Sequence, residues 1–144
     1  MDINYLIKKC KEFLKKIEYI DFALIFGSYA QGKPFPFSDL DLAIHTSKDL
    51  DLLELGGLIT ELEELTQKEV DLILLNNLYQ ENPLLAYHII TEGVLLFSRD
   101  EEQWVEYKTK VFLYYFDHKA LYEAMNKSFI KRIEENKIGK RNVS

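Results

Sequence analysis

Four short apolar segments, separated by longer amphipathic ones, constrain the fold of this chain most strongly. Each is four to eight residues long and is bounded by Gly, Pro or charged residues, which is typical of strands in a sheet. They comprise residues 19–26, 39–44, 70–75 and 94–97. A chain that alternates such segments with helices is expected to build a sheet covered by helices.

The segments around these strands have the spacing of helices. Asn82-Pro83 predicts a helix start, because Asn is a good N-cap and Pro suits the first helical position, and this helix should reach about Thr91. Ser98 and Glu101 have the spacing of a capping box and predict the start of the longest helix. Apolar residues recur three and four positions apart in residues 3–17, 50–65 and 100–136. The resulting order, α-β-(turn)-β-α-β-α-β-α, predicts an α/β or α+β fold.

Length and composition narrow the class of protein. With 144 residues, 47% of them hydrophobic, we expect a single domain over 1–144, with a core at about 20–100 and a C-terminal helix at about 100–136. The net charge of −6 disfavours a dedicated nucleic-acid binder, and no apolar run approaches the ~20 residues of a membrane span. The lone Cys10 and the absence of a signal peptide predict a cytoplasmic protein.

Three aspartates form the pattern with the clearest chemistry. Asp39 and Asp41 are two apart, so on one strand their side chains project from the same face. Asp71 lies within an otherwise apolar strand, where we expect a buried carboxylate that needs a partner. Carboxylates held together repel each other unless a cation lies between them. The set therefore predicts a site for Mg²⁺, with two ions expected, of the kind used in phosphoryl or nucleotidyl transfer.

A Gly-Ser pair follows the first predicted strand and suits a phosphate. Gly27 allows the backbone to approach a ligand closely, and the Ser28 hydroxyl offers a hydrogen bond. A short helix beginning at Ser28 would add its free N–H groups. Ten residues separate Ser28 from Asp39. Any one of these features is common, whereas their joint occurrence in this order is not expected by chance.

At these residues the chain resembles the DNA polymerase β-like nucleotidyltransferases, through their hG[GS]…DxD…D signature. The matching stretches are ALIFGSYAQGKPFPFSDLDLAI, residues 23–44, and VDLILL, residues 70–75. It is most similar to the minimal nucleotidyltransferase (MNT) group, antitoxins of HEPN/MNT toxin–antitoxin modules. The resemblance implies the nucleotidyltransferase fold, a small mixed β-sheet flanked by helices with a long C-terminal helix.

The resemblance also implies an activity and roles for individual residues. It implies transfer of AMP from ATP to tyrosine hydroxyls of a HEPN-domain RNase toxin. Gly27 and Ser28 match the phosphate-binding pair, Asp39 and Asp41 the metal-binding acids, and Asp71 the third acid, which also helps to activate the attacking hydroxyl. In one departure, Gln31 stands where many relatives have Arg, which removes a fixed cation that Lys33 would have to replace.

Two other functions stay open at this point: an antitoxin that neutralises its toxin by binding alone, and a nucleotidyltransferase for small molecules such as aminoglycosides.

His45 follows the DLAI strand and is expected to be an ordinary polar residue there. The C-terminal helix has more aromatic surface than one small core needs, which predicts contact with a partner or a second copy. On this helix we expect Val111, Tyr115 and Met125 to face inward and Tyr114 to be exposed.

Overall fold

A computed structural model describes residues 3–32 and 39–143, with side chains described as far as residue 136. Five helices and four strands lie within these ranges. The strands are β1 (Ile20–Phe26), β2 (Leu40–Thr46), β3 (Val70–Leu74) and β4 (Val94–Ser98). The helices are α1 (Ile3–Lys15), α2 (Leu52–Thr66), α3 (Leu78–Glu81), α4 (Pro83–Glu92) and α5 (Glu101–Val143). The expected mixed fold is confirmed, and the four-residue α3 is an addition to the predicted order.

The strands form one mixed sheet in the order β3-β2-β1-β4. β1 pairs antiparallel with both β2 and β4, whereas β2 and β3 are parallel. The parallel pair needs a crossover, which α2 supplies between the two strands. In this arrangement the end of β1 lies beside the beginning of β2, which lies beside the beginning of β3 on its other side.

Helices cover both faces of the sheet, because side chains alternate along each strand. On the face covered by α1 and α2, Leu40, Leu42 and Ile44 are fully buried in one apolar cluster. On the opposite face, Ala43 packs in a second cluster with residues of α4 and α5. We call this second side the α4–α5 face. Asp41 and His45 share it with Ala43, since all three are two or four residues apart.

The long helix α5 divides into a packed part and an exposed part. Tyr107 and Val111 are buried against the sheet, and Tyr115 stacks on Tyr87 of α4 at 3.7 Å between ring centroids. The expectation that Met125 faces inward with Val111 is wrong, because Met125 is 64% exposed. By that residue the helix has passed the end of the sheet and its covering helices. Tyr114 is 42% exposed, as expected.

Several element ends differ from their predicted positions for local reasons. Ser98 ends β4, so the expected capping box is wrong; instead the Asp100 carboxylate accepts a hydrogen bond from the Glu102 amide at 3.0 Å. Asn82 does cap α4, accepting from the Leu85 amide at 3.2 Å. β2 begins at Leu40, which leaves Asp39 just before the strand.

Within the described ranges, no helix is both long and apolar enough to cross a bilayer. The helix that is long enough, α5, carries charged side chains throughout its length.

Candidate active site

Sheet register brings the acidic residues to one end of the α4–α5 face. Asp41 is paired directly with Asp71 across the parallel β2–β3 ladder, so their side chains are neighbours on the same face. On its other side Asp41 is paired with Phe26, the last residue of β1. Asp39, one residue ahead of β2, is exposed. We call the end formed by Gly27, Asp39, Asp41 and Asp71 the acid end.

The burial of the acids differs from the expectation. Asp71 was expected to be buried but is exposed, because β3 is the edge strand of the sheet. Asp41 is the half-buried acid, since β2 lies inside the sheet. Desolvation raises the pKa of the Asp41 carboxyl, and the negative charges of Asp71 and Asp39 raise it further. The three carboxylates are thus close enough to repel one another.

Gly27 fits this environment for two structural reasons. Its φ is +72°, in the left-handed region that favours glycine. A Cβ at this position would also overlap the Asp41 Oδ2 atom. The turn that starts here lets the Gln31 amide donate to the Gly27 carbonyl at 3.3 Å, but residues 27–32 form turns and not the expected short helix. Lys33, the expected substitute for the missing Arg, lies outside the described residues.

The donor set suits a hard divalent cation. Among the described residues, no side chain forms an ion pair with the carboxylate of Asp39, Asp41 or Asp71, so a bound divalent cation would relieve their repulsion. Carboxylate oxygens are the ligands that Mg²⁺ prefers. Within the described part of the chain, no three His, Cys, Asp or Glu side chains are already arranged to hold a metal ion. A cation would therefore have to draw these carboxylates together.

His45 lies at the other end of the same face, four residues beyond Asp41 along β2. At about 3.3 Å per strand residue the two are roughly 13 Å apart, so His45 does not join the acids. Its Nδ1 atom lies 2.8 Å from Asp21 Oδ2. Its ring stacks on Phe22 with the centroids 4.7 Å apart. Sequence reasoning missed Asp21, since one Asp in a predicted strand gives no signal until its partner is known.

Paired carboxylates on β2 and β3, beside the glycine turn that follows β1, suit metal-assisted transfer of a nucleotide. A family model described as "Polymerase beta, Nucleotidyltransferase" matches residues 8–102. The chain belongs to this nucleotidyltransferase family.

Relatives in sequence lie in the same family. A protein of Methanocaldococcus jannaschii named as a candidate protein adenylyltransferase is 37% identical over 94 residues, which are 65% of this chain and 97% of that one. The protein adenylyltransferase MntA of Shewanella oneidensis is 27% identical over 99 residues, 69% of this chain and 67% of that protein.

Solved structures share the fold over a larger part of the chain. A toxin–antitoxin structure with AMP-PNP has a TM-score of 0.69 at 23% identity and covers 90% of this chain and 99% of its own. A second structure, of the tri-AMPylated Shewanella oneidensis HEPN toxin in complex with MNT antitoxin, has the same TM-score and coverage at 20% identity. At these identities the likeness concerns the fold.

Proposed function

We propose that this protein is a Mg²⁺-dependent adenylyltransferase that transfers AMP from ATP to tyrosine hydroxyls of a HEPN RNase toxin and so acts as its antitoxin. The observation that carries the proposal is the direct pairing of Asp41 with Asp71 beside the Gly27 turn. The names of the relatives support the reaction, and the neighbouring toxin–antitoxin structures support the partner.

Each residue of the acid end receives one role. Asp39 and Asp41 would hold Mg²⁺, and Asp71 would complete one metal position. Bound there, the metal would neutralise charge on the triphosphate. Gly27 and Ser28 would hold the phosphates that leave as pyrophosphate, because the Gly27 turn lies next to Asp41.

The transfer itself needs an activated acceptor oxygen. The tyrosine oxygen forms a bond to the α-phosphorus while the bond from that phosphorus to the bridging β-phosphate oxygen breaks. Asp71 would orient the attacking hydroxyl and accept its proton; its exposure supports this role, whereas Asp41 is half-buried. Positioning and charge neutralisation supply most of the rate enhancement.

The direct test incubates the protein with a HEPN-domain toxin, ATP and Mg²⁺. Mass spectrometry of the HEPN protein should find AMP on tyrosine, and the Asp39→Asn/Asp41→Asn variant should leave that protein unmodified. Competing CTP, GTP and UTP would measure the nucleotide preference. AMP added equally by the double variant, or no AMP added by the wild type, would contradict the proposal.

One observation favours neutralisation by binding as a second function. Beyond Phe116 the helix α5 carries a row of apolar side chains that are 39–65% exposed. Exposed apolar side chains grouped in this way are typical of a surface that contacts another protein. They are Leu121, Tyr122, Met125, Phe129, Ile130 and Ile133. If binding alone neutralises the toxin, the double acid variant should still inhibit its RNase activity at equal concentration.

Tyr114→Ala, at an exposed position nearer the sheet, should weaken binding to the toxin while ATP binding is unchanged.

A further inference from the structure

The end of the α4–α5 face opposite the acids contains a cavity that the proposed transfer reaction does not use. Its volume is about 170 Å³, enough for a small organic group. It lies between the end of β2, the second residue after β3, and the helices α3 and α5. Its lining residues are His45, Asn76, Tyr79, Gln103, Glu106, Tyr107 and Lys110. We call this region, together with Asp21, the imidazole end.

The hydrogen bond from His45 to Asp21 determines what the imidazole offers. In the tautomer that donates its Nδ1–H to the Asp21 carboxylate, Nε2 carries no proton and accepts hydrogen bonds. No described residue bonds Nε2, and no buried side-chain nitrogen or oxygen of the described residues lacks a partner. Nε2 is therefore open to solvent, and the cavity that His45 lines is where a ligand would reach it.

Stacking fixes the direction of this acceptor. The His45 ring lies almost parallel to Phe22, at 16°, and meets the edge of Tyr107 at 5.5 Å between centroids. Tyr107 is itself held by a hydrogen bond from its hydroxyl to the Leu75 carbonyl at 2.6 Å. An acceptor restrained in this way loses little conformational freedom when a ligand binds.

The charges around the cavity select the ligand. Asp21 behind the imidazole and Glu106 at the rim are negative, and Lys110 is the one ammonium among the lining residues. Lys110 is only loosely paired with Glu106, at 3.8 Å. The rings of Tyr79 and Tyr107, 5.9 Å apart, add electron-rich surface. Acceptors, carboxylates and aromatic rings together favour a cation over a phosphate.

We propose that the imidazole end binds a primary ammonium group. Its N–H bonds would go to His45 Nε2 and the Glu106 carboxylate, with its alkyl chain against Tyr79 and Tyr107. These acceptors come from different elements, β2 and α5, which suits the radiating donors of an ammonium better than a planar guanidinium fork. The group could be supplied by a free amine or by a lysine side chain of a docked protein.

Titration with n-butylammonium chloride tests the proposal, with n-butanol as the neutral match. The ring-proton NMR signals of Tyr79 and Tyr107 should shift and saturate with the amine and stay unchanged with the alcohol. His45→Phe, which keeps the stack on Phe22 but has no acceptor, should abolish the response. Glu106→Gln, at an exposed position where misfolding is not a concern, should weaken binding roughly fivefold.

The same titration separates the two sources of the amine. Tighter binding of Nα-acetyl-lysine methylamide than of n-butylammonium would assign the site to a protein lysine, and the reverse order to a free amine. Lys110→Ala should tighten binding of either one, because the competing ammonium is gone. Equal shifts with the amine and the alcohol, or an undiminished response in both His45→Phe and Glu106→Gln, would overturn the proposal.

Discussion

The two ends of the α4–α5 face show how carboxylates on neighbouring strands of one sheet are used differently. At the imidazole end, the Asp21 carboxylate lies 2.8 Å from His45 Nδ1, so it has a hydrogen-bond partner within the protein. At the acid end, Asp41 lies opposite Asp71 in the β2–β3 ladder, and no described side chain forms an ion pair with either carboxylate. A carboxylate paired internally orients its neighbour, whereas carboxylates left facing one another favour binding of an external cation.

The largest effect should follow from removing one acid from the acid end. Asp71→Asn should leave much of the ATP affinity but lower AMP transfer by about 10²–10³-fold, because the proposed acceptor of the hydroxyl proton is lost. Single-turnover transfer and nucleotide binding, measured separately, would check this. The matched control Asp49→Asn removes the same charge from an exposed loop and should transfer normally. Full transfer by Asp71→Asn would show that another group accepts the proton of the attacking hydroxyl.

A substitution at Gly27 tests whether the acid end depends on close backbone approach. Gly27→Ala should destabilise the fold by about 1–3 kcal/mol, because Ala is strained at a φ of +72° and its Cβ overlaps Asp41. Gly57→Ala is the matched control: nothing lies within 4 Å of its Cβ in α2, and it should stabilise by about 0.4–1 kcal/mol. Urea denaturation measures both. Equal effects at the two glycines would remove the special role of Gly27.

The smallest effect concerns stability and pH at the half-buried acid. The pKa of Asp41 is raised in the folded state, so the folded protein holds this proton more tightly and the ionised carboxylate destabilises it at neutral pH. Asp41→Asn should therefore raise Tm at pH 7. The gain should shrink as the pH falls through the raised pKa of folded Asp41, and it should vanish below the ordinary pKa of Asp, where the wild-type carboxyl is protonated in both states. A gain that is constant with pH would contradict this cause.

Local patterns predicted much of this molecule. The strand segments and the Asn82 cap followed from spacing, since each depends on neighbours in sequence. The burial of Asp71 was predicted wrongly, because whether a strand lies at the edge of a sheet depends on strand order. The exposure of Met125 had the same cause: helical periodicity places a residue on a face but does not show where the covering sheet ends.

The contact that sequence patterns missed at the imidazole end joins two residues that are far apart in sequence. Asp21 and His45 are 24 residues apart, and only the antiparallel β1–β2 register makes them neighbours. No periodicity links them.

Binding of Mg²⁺ with ATP tests the central claim, that the acid end binds a divalent cation, most directly. Tm and the free energy of unfolding are measured with each ligand alone and with both, for the wild type and for Asp39→Asn/Asp41→Asn. With the Mg²⁺–ATP complex at ~100 times its dissociation constant, the wild type should gain about 2.7 kcal/mol, and the double variant should gain nothing. The same metal-dependent gain in the double variant would contradict the claim.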